Sequence, residues 1–288
     1  MQVGVGLPTT MSGTTAELVV SWARQADAGP FASLGVLDRI IYDSLDPIVS
    51  LSAAAAVTER IELVTSILIS PLRETSTMAK QLASLSTLAP GRLTVGAAIG
   101  ARGDDYESSE FAKSSRGQRL TEQLAQLRTL DGDGVRAPGF EPPLRLLVGG
   151  TSGPAYARMA RLADGWIHNG SPPKIFARQL DDARAAWSDA GRPGAPEVWS
   201  MAYYALGDAQ EPGRDYLLDY YAFTGAFAQR IADGLLTTPL QVREYVQAYA
   251  DAGCDHLILF PTVPELEQLD MLADVIGDAD RTGQAATR

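Results

Sequence analysis

Eight short apolar runs, at 3–7, 33–37, 61–69, 93–99, 144–148, 166–168, 198–206 and 256–260, alternate along this chain with stretches of helical periodicity. The runs are short enough for strands and mostly too continuously apolar for strands with one wet face, so they are expected to be buried on both sides. Between them apolar residues recur at helical spacing: Leu18, Val19, Trp22 and Ala26; Leu120, Leu124, Leu127 and Leu130; Ile175, Leu180, Ala183 and Trp187; Val242, Val246 and Tyr249. Alternation of strand and helix implies a parallel sheet with right-handed crossovers. Eight such units in 288 residues suggest one α/β domain, a closed (β/α)8 TIM barrel spanning 1–288. An open, doubly wound sheet is the alternative.

The segment 75–100 carries the densest local signal. Met78, Leu82, Leu85 and Leu88 mark one apolar helix face, and Ala89-Pro90-Gly91 ends that helix. Arg92 then leads into an apolar run that closes on Gly100. Gly96 and Gly100 leave room for a flat ligand or another backbone. Taken alone, the pattern also suits an ordinary helix–strand unit. Two stretches interrupt the rhythm. Residues 131–143 (DGDGVRAPGFEPP) read as one long loop before the fifth strand, and 211–236 exceeds a βα loop and predicts a helical insertion after strand seven. Its Tyr216, Tyr220, Tyr221, Phe223 and Phe227 are expected to pack on the barrel or on a partner subunit, a role compatible with lining a substrate pocket. The polar tail 278–288 is expected to be flexible.

Charge and cysteine content narrow the partners. A net charge of −11 argues against nucleic acid and against an anionic membrane surface. No run is long enough to span a bilayer. The single cysteine, Cys254, excludes an intrachain disulfide and points to a reducing compartment. The opening MQVGVGLP reads as a strand start rather than a signal peptide. A soluble cytoplasmic protein acting on a small molecule is the expectation.

In such a barrel ligands gather at the carboxyl ends of the strands. There the chain offers Pro8, Thr9 and Thr10; Asp38 and Arg39; Thr65, Ser66, Ile67 and Arg73; Gly100, Arg102, Asp104 and Asp105; and His168, Asn169 and Gly170. The fifth turn, Gly149-Gly150-Thr151-Ser152-Gly153-Pro154, is the most informative. Glycines with Ser and Thr at a helix amino terminus offer free amides and hydroxyls to a phosphate. The same residues also suit a plain capped helix, with Thr151 or Ser152 as N-cap and Pro154 in the first turn. Asp38 could exchange a proton or cap the next element. Arg39 and Arg73 could attract an anion or lie on the surface, and Asp104 with Asp105 reads as a solvated loop. One histidine, His168, is no metal site, and His256 is expected to be structural. There is no Cys/His cluster, Walker loop or Gly-x-Ser-x-Gly elbow, so no metal site is expected.

From Val3 to Pro261 the chain resembles the bacterial-luciferase-like flavin-dependent oxidoreductases. The matching residues are GVGLP at the start; Leu37-Asp38; Lys80, Leu85-Ser86, Pro90-Gly91-Arg92-Leu93, Gly96 and Gly100; Arg116, Arg119-Leu120 and Glu122; LLVGG at 146–150; ARLADGWI at 160–167; and Asp251-Ala252-Gly253. The resemblance implies a flavin-type cofactor on the carboxyl face of a homodimeric barrel. It implies that a bulge in strand three, often with a non-proline cis peptide, backs the ring at Thr65, Ser66 and Ile67, and that Gly149 to Gly153 hold the cofactor phosphate near Asn169 and Gly170. The Thr-Ser-aliphatic wording is similar to the branch using the 5-deazaflavin coenzyme F420. Many members carry Asp-His where this chain has Asp38-Arg39. Arginine stays protonated and is no ordinary acid–base, but it could fix an anionic substrate or stabilise a reduced, anionic ring. A glutamate found in some members after strand four is replaced by Ala101 and Arg102.

The expected activity is therefore deazaflavin-dependent hydride transfer to or from a small organic substrate, with Asp38 and Arg39 at the reacting position. The rivals are FMN-dependent monooxygenation, a flavin-binding protein without turnover, and a phosphosugar lyase or aldolase. The last needs a Schiff-base lysine or a metal at strand ends, whereas Lys80 and Lys174 fall on predicted helices and Lys113 in a loop.

Overall fold

Every predicted run becomes a strand, because each can bury one set of side chains inside a closed sheet and the alternate set under helices. The computed structural model describes residues 1–130 and 135–285, with side chains through 277. In chain order the elements are β1 (Gln2–Gly6), α1 (Ala16–Ala28), β2 (Ser33–Val36), α2 (Pro47–Ala55), β3 (Glu62–Leu68), α3 (Thr75–Leu88), β4 (Leu93–Ala97), α4 (Asp104–Glu107), α5 (Arg116–Arg128), β5 (Arg145–Gly149), α6 (Gly153–Leu162), β6 (Gly165–Ile167), α7 (Pro173–Asp189), β7 (Glu197–Tyr204), α8 (Gln210–Tyr220), α9 (Phe227–Asp233), α10 (Pro239–Asp251), β8 (His256–Pro261) and α11 (Leu266–Ala285). The strands pair in parallel in sequence order, and β8 closes on β1 with Gln2 opposite His256. Closure excludes the open sheet.

The alternation is visible along single strands. On β5, Leu146 and Val148 pack under the helices while Leu147 points into the barrel; on β8, Leu257 and Leu259 face out and Ile258 and Phe260 in. Each such side chain contributes roughly 1.5–3 kcal/mol on burial. Phe260 takes the space of absent side chains: a Cβ on Gly6 would lie 2.1 Å from its ring. The amino-terminal floor is polar. Arg145 bridges Glu62 at 2.9 Å and Glu197 at 3.7 Å, and His256 Nε2 lies 3.2 Å from Glu197 while its ring stacks on Trp199 at 3.9 Å. His256 is thus part of the floor, the end of a barrel that serves stability.

Two helix faces differ by one position from the periodicity. Leu88 is exposed and Ala89 buried, because α3 ends there and the chain turns into Gly91. On α7, Phe176 is buried and Ile175 exposed; Phe176 stacks on Tyr249 of α10 at 4.4 Å. The predicted insertion after strand seven forms α8 and α9, joined through a one-turn helix at Ala222–Thr224. Of the long loop, 131–134 lie outside the described residues, and 135–143 form neither helix nor strand. The backbone of α11 continues to Ala285; 286–288 lie outside the described residues. Among the described residues no helix is long and apolar enough to cross a membrane.

Candidate active site

The rim begins at an irregularity in β3. The ladder with β4 runs in register to Thr65 and resumes at Leu68, and the Ser66–Ile67 peptide between them is cis. Thr65 Oγ1 donates to the Gly96 carbonyl at 2.8 Å, wholly buried. Gly96 has to be small: a Cβ there would sit 2.3 Å from the Thr65 carbonyl oxygen. Opposite, a Cβ on Gly149 would lie 3.0 Å from Ala98 Cβ and 3.3 Å from Ile67 Cγ2. The ends of β3, β4 and β5 therefore meet around glycines. Gly100, at φ +68°, takes a left-handed conformation against Ile69.

Beyond Gly149 the chain turns at Gly150, φ +117°, whose carbonyl accepts from Trp166 Nε1 at 2.9 Å. Ser152 is the N-cap of α6, and Pro154 sits in the first turn, where no amide is needed. The Ser152 side chain caps nothing; its carbonyl takes the amides of Ala155 and Tyr156. Among the described residues, the amides of Thr151, Ser152 and Gly153 and the Thr151 and Ser152 hydroxyls have no protein partner, and all three residues are exposed. Free donors at a helix amino terminus, on the positive end of its dipole, suit an anion.

At the end of β6, His168 is buried. Its Nδ1 accepts from the Gly170 amide at 3.1 Å and faces the Ser200 hydroxyl at 3.1 Å, while Nε2 faces Gln179 Oε1 at 2.9 Å. The amide contact assigns the neutral tautomer with the proton on Nε2. Burial pushes its pKa down to about 4, against the pull of the Gln179 contact. Gly170, φ +81°, leaves no room for a side chain, whose Cβ would be 2.7 Å from the Met201 carbonyl; Asn169 is exposed.

At the end of β2 two ion pairs diverge. Asp38, buried, accepts from the Ile69 amide at 2.7 Å and from Arg73 at 3.0 Å, and Arg73 also reaches Asp46 at 2.8 Å. Burial raises the Asp38 carboxyl above its ordinary range, with Arg73 and the Ile69 amide opposing. The carboxylate thereby ties β2 to the exit of β3. Arg39 turns elsewhere: its Nε lies 3.3 Å from Asp105 Oδ2, and its Nη1 donates to the Tyr220 carbonyl at 3.4 Å. Asp105 spends its other oxygen on the Ile40 and Ile41 amides, at 3.1 and 2.9 Å. The rings of Tyr42, Tyr220 and Phe223 surround the Arg39 guanidinium at 5.1, 5.0 and 5.6 Å.

Helix α8 roofs the mouth. Tyr216 hydrogen-bonds Thr10 at 2.6 Å, and Tyr221 meets Tyr203 at 2.8 Å. Of the insertion's aromatics, Tyr216, Tyr220 and Tyr221 pack inward, whereas Phe223 and Phe227 are exposed. The fold thus brings Thr65, Ser66, Ile67, Gly96 and Gly149 together, with Gly150 to Gly153 following directly and Asp38 braced behind. Gly100 adjoins them through Ile69. Asn169 makes no hydrogen bond to them. Asp105 is the site-forming residue that sequence patterning missed: within one acidic pair it is buried, while its neighbour Asp104 is only half-buried and holds Arg102.

A family profile described as luciferase-like monooxygenase matches residues 1–259. An uncharacterized protein of Mycobacterium tuberculosis is 33% identical over 176 residues, covering 55% of this chain and 61% of that protein. The chain spans less than two thirds of that relative's length. Three solved structures share the fold. A monooxygenase from Streptomyces bottropensis aligns with TM-score 0.78 and 21% identity over 96% of this chain and 98% of that one. An F420-dependent secondary alcohol dehydrogenase, solved with an F420–acetone adduct, gives 0.77 and 16% over 95% and 97%. A type II Baeyer–Villiger monooxygenase component from Pseudomonas putida, in complex with FMN, gives 0.70 and 15% over 96% of each chain.

Proposed function

This chain belongs to the luciferase-like monooxygenase family, and on that premise we propose that it is an oxidoreductase using the deazaflavin F420 to exchange hydride with a small organic substrate. One observation carries the proposal: the Ser66–Ile67 step of β3 lies beside Gly149, which opens directly into the turn with three unpartnered amides. A flat ring and an anionic tail need those two features side by side. The unpartnered amides and hydroxyls of the exposed turn 151–153 fit the anionic tail of such a cofactor, while Gly96 and Gly149 let the Thr65 carbonyl, Ala98 and Ile67 close up beside it. Thr65, Ser66 and Ile67 would back the ring; Thr151, Ser152 and Gly153 would hold the phosphate, with Asn169 and Gly170 beside them. A deazaflavin bound there supplies hydride exchange, and FMN would instead supply oxygen activation.

The chain's own residues bind, orient and shield. Asp38 holds the Ile69 amide and Arg73 and so fixes where β3 leaves the barrel. Arg39 contributes a permanent positive charge at the mouth. The Tyr216, Tyr220 and Tyr221 roof excludes water from the reacting face. FMN-dependent monooxygenation is the second reading, favoured by the two monooxygenase folds described above. A homodimer is proposed on the family resemblance alone and is read by sedimentation.

The test is a pair of fluorescence-quenching titrations. Micromolar F420 binding, weakened by Thr151→Pro, with turnover of reduced F420, is the expected result. FMN binding without F420 binding would replace hydride transfer with monooxygenation, and binding of neither would end the flavin reading.

A further inference from the structure

Two guanidiniums flank one exposed ring. Phe223 lies 5.6 Å from Arg39 Cζ and 4.7 Å from Arg102 Cζ, and it is the most open of the rings around Arg39, at 41% exposed. Arg39 itself is 8% exposed, and its Nη2 has no hydrogen-bond partner; its Nε meets Asp105 without the alignment of a hydrogen bond. Arg102 directs its Nε and Nη2 to Asp104 and leaves Nη1 unused. Buried guanidinium N–H groups without acceptors are costly unless something satisfies them. Aromatic rings, not an acceptor, surround the guanidinium that carries Nη2 of Arg39, whereas Nη1 of Arg102 is not buried and is open to water. Phe223 sits on a short helix followed by Gly225 at φ +60° with open space around it, so its ring can leave without breaking a core contact.

We propose that Arg39 and Arg102 form a carboxylate-recognition site for the substrate, with Phe223 as a displaceable ring holding its place. This rests on the assignment of the barrel mouth as the reaction site. A carboxylate entering where the Phe223 ring stands meets Nη2 of Arg39 on one side and Nη1 of Arg102 on the other. Tyr42 and Tyr220 then offer aromatic faces to the rest of the molecule. The site selects small organic acids with a flat apolar body over neutral analogues, because a neutral carbonyl accepts from the two guanidiniums more weakly than a carboxylate and balances neither charge. Arg39 is in this account a specificity residue.

The probe is benzoate, with benzamide as its neutral counterpart, titrated calorimetrically into the full chain with cofactor titrations in parallel. The wild type is expected to prefer benzoate by at least about tenfold, since hydrogen bonds to charged groups are the strong ones. Arg102→Gln, and Arg39→Gln combined with Asp105→Asn so that no buried charge is stranded, are each expected to bring that preference close to unity. Phe223→Ala is expected to speed benzoate association several-fold. Equal affinity for the two probes, or a preference that survives both arginine variants, overturns the proposal. Should the double variant not fold, Arg102→Gln and Phe223→Ala decide. Weakened cofactor binding in the Arg39 variant with an unaltered benzoate preference also overturns it, by assigning Arg39 to the ring. Failure of both cofactors to bind strikes the flavin reading instead and is seen separately.

Discussion

Lowering the pH from 7 to 5 should destabilise this barrel chiefly through His168. Burial holds the ring neutral in the fold, with a pKa of about 4 against 6.5 for the free side chain. The sign follows from proton counting. Between those values the unfolded chain carries a proton that the folded one refuses, so stability is full above 6.5 and falls as the pH drops towards 4. The whole window is worth about 3 kcal/mol, at roughly 1.36 kcal/mol per unit, and about 2 kcal/mol of it is gone at pH 5. The damage is local first. A protonated Nδ1 would face the Gly170 amide donor to donor, where it now accepts at 3.1 Å. The turn that carries Asn169 and Gly170 should loosen, and cofactor affinity should decline in the same window. The assay is urea denaturation at pH 7 and pH 5 for the wild type and His168→Gln. The variant is expected to be less stable at pH 7 yet to lose about 2 kcal/mol less on acidification. Equal losses in the two proteins would refute the assignment.

Three further outcomes are expected. Gly96→Ala should destabilise by about 1–3 kcal/mol, because the new methyl meets a backbone oxygen that cannot swing aside; urea midpoints and a parallel drop in cofactor affinity check it. Thr238→Ala removes half of the capping box with Gln241 at the start of α10 and should cost about 1 kcal/mol with cofactor binding unchanged, by the same measurements. Asp27→Ala should cost about 1–2 kcal/mol, since its carboxylate takes the amides of Glu59, Arg60 and Ile61 at 2.9, 3.0 and 2.7 Å; the loss should be absent in Asp27→Asn only to the extent that one amide oxygen replaces two carboxylate oxygens.

What was legible in the residues, and what was not, divides by distance along the chain. The strands stood out because burial on both faces demands unbroken apolar runs, and even three-residue β6 was marked by its Ala-Asp-Gly-Trp flank. The turn at 149–153 was legible for the same local reason: glycines, hydroxyls and a proline are cheap only in that order at a helix start. Side-chain partners were not. Arg39 and Arg73 have the composition of surface residues, yet Arg39 is buried and Arg73 half-buried because parallel closure sets β2 beside β3 and the β4 exit close by, so that Asp105 meets Arg39 and Asp38 meets Arg73. The aromatics of the insertion repeat the point: their spacing foretold helix, but only the direction in which α8 crosses the mouth decides that Tyr216 and Tyr220 enter it while Phe227 stays in solvent. Chemistry that depends on an unspent donor, such as Nη2 of Arg39, therefore becomes readable only after the barrel has closed and every nearby acceptor has been assigned.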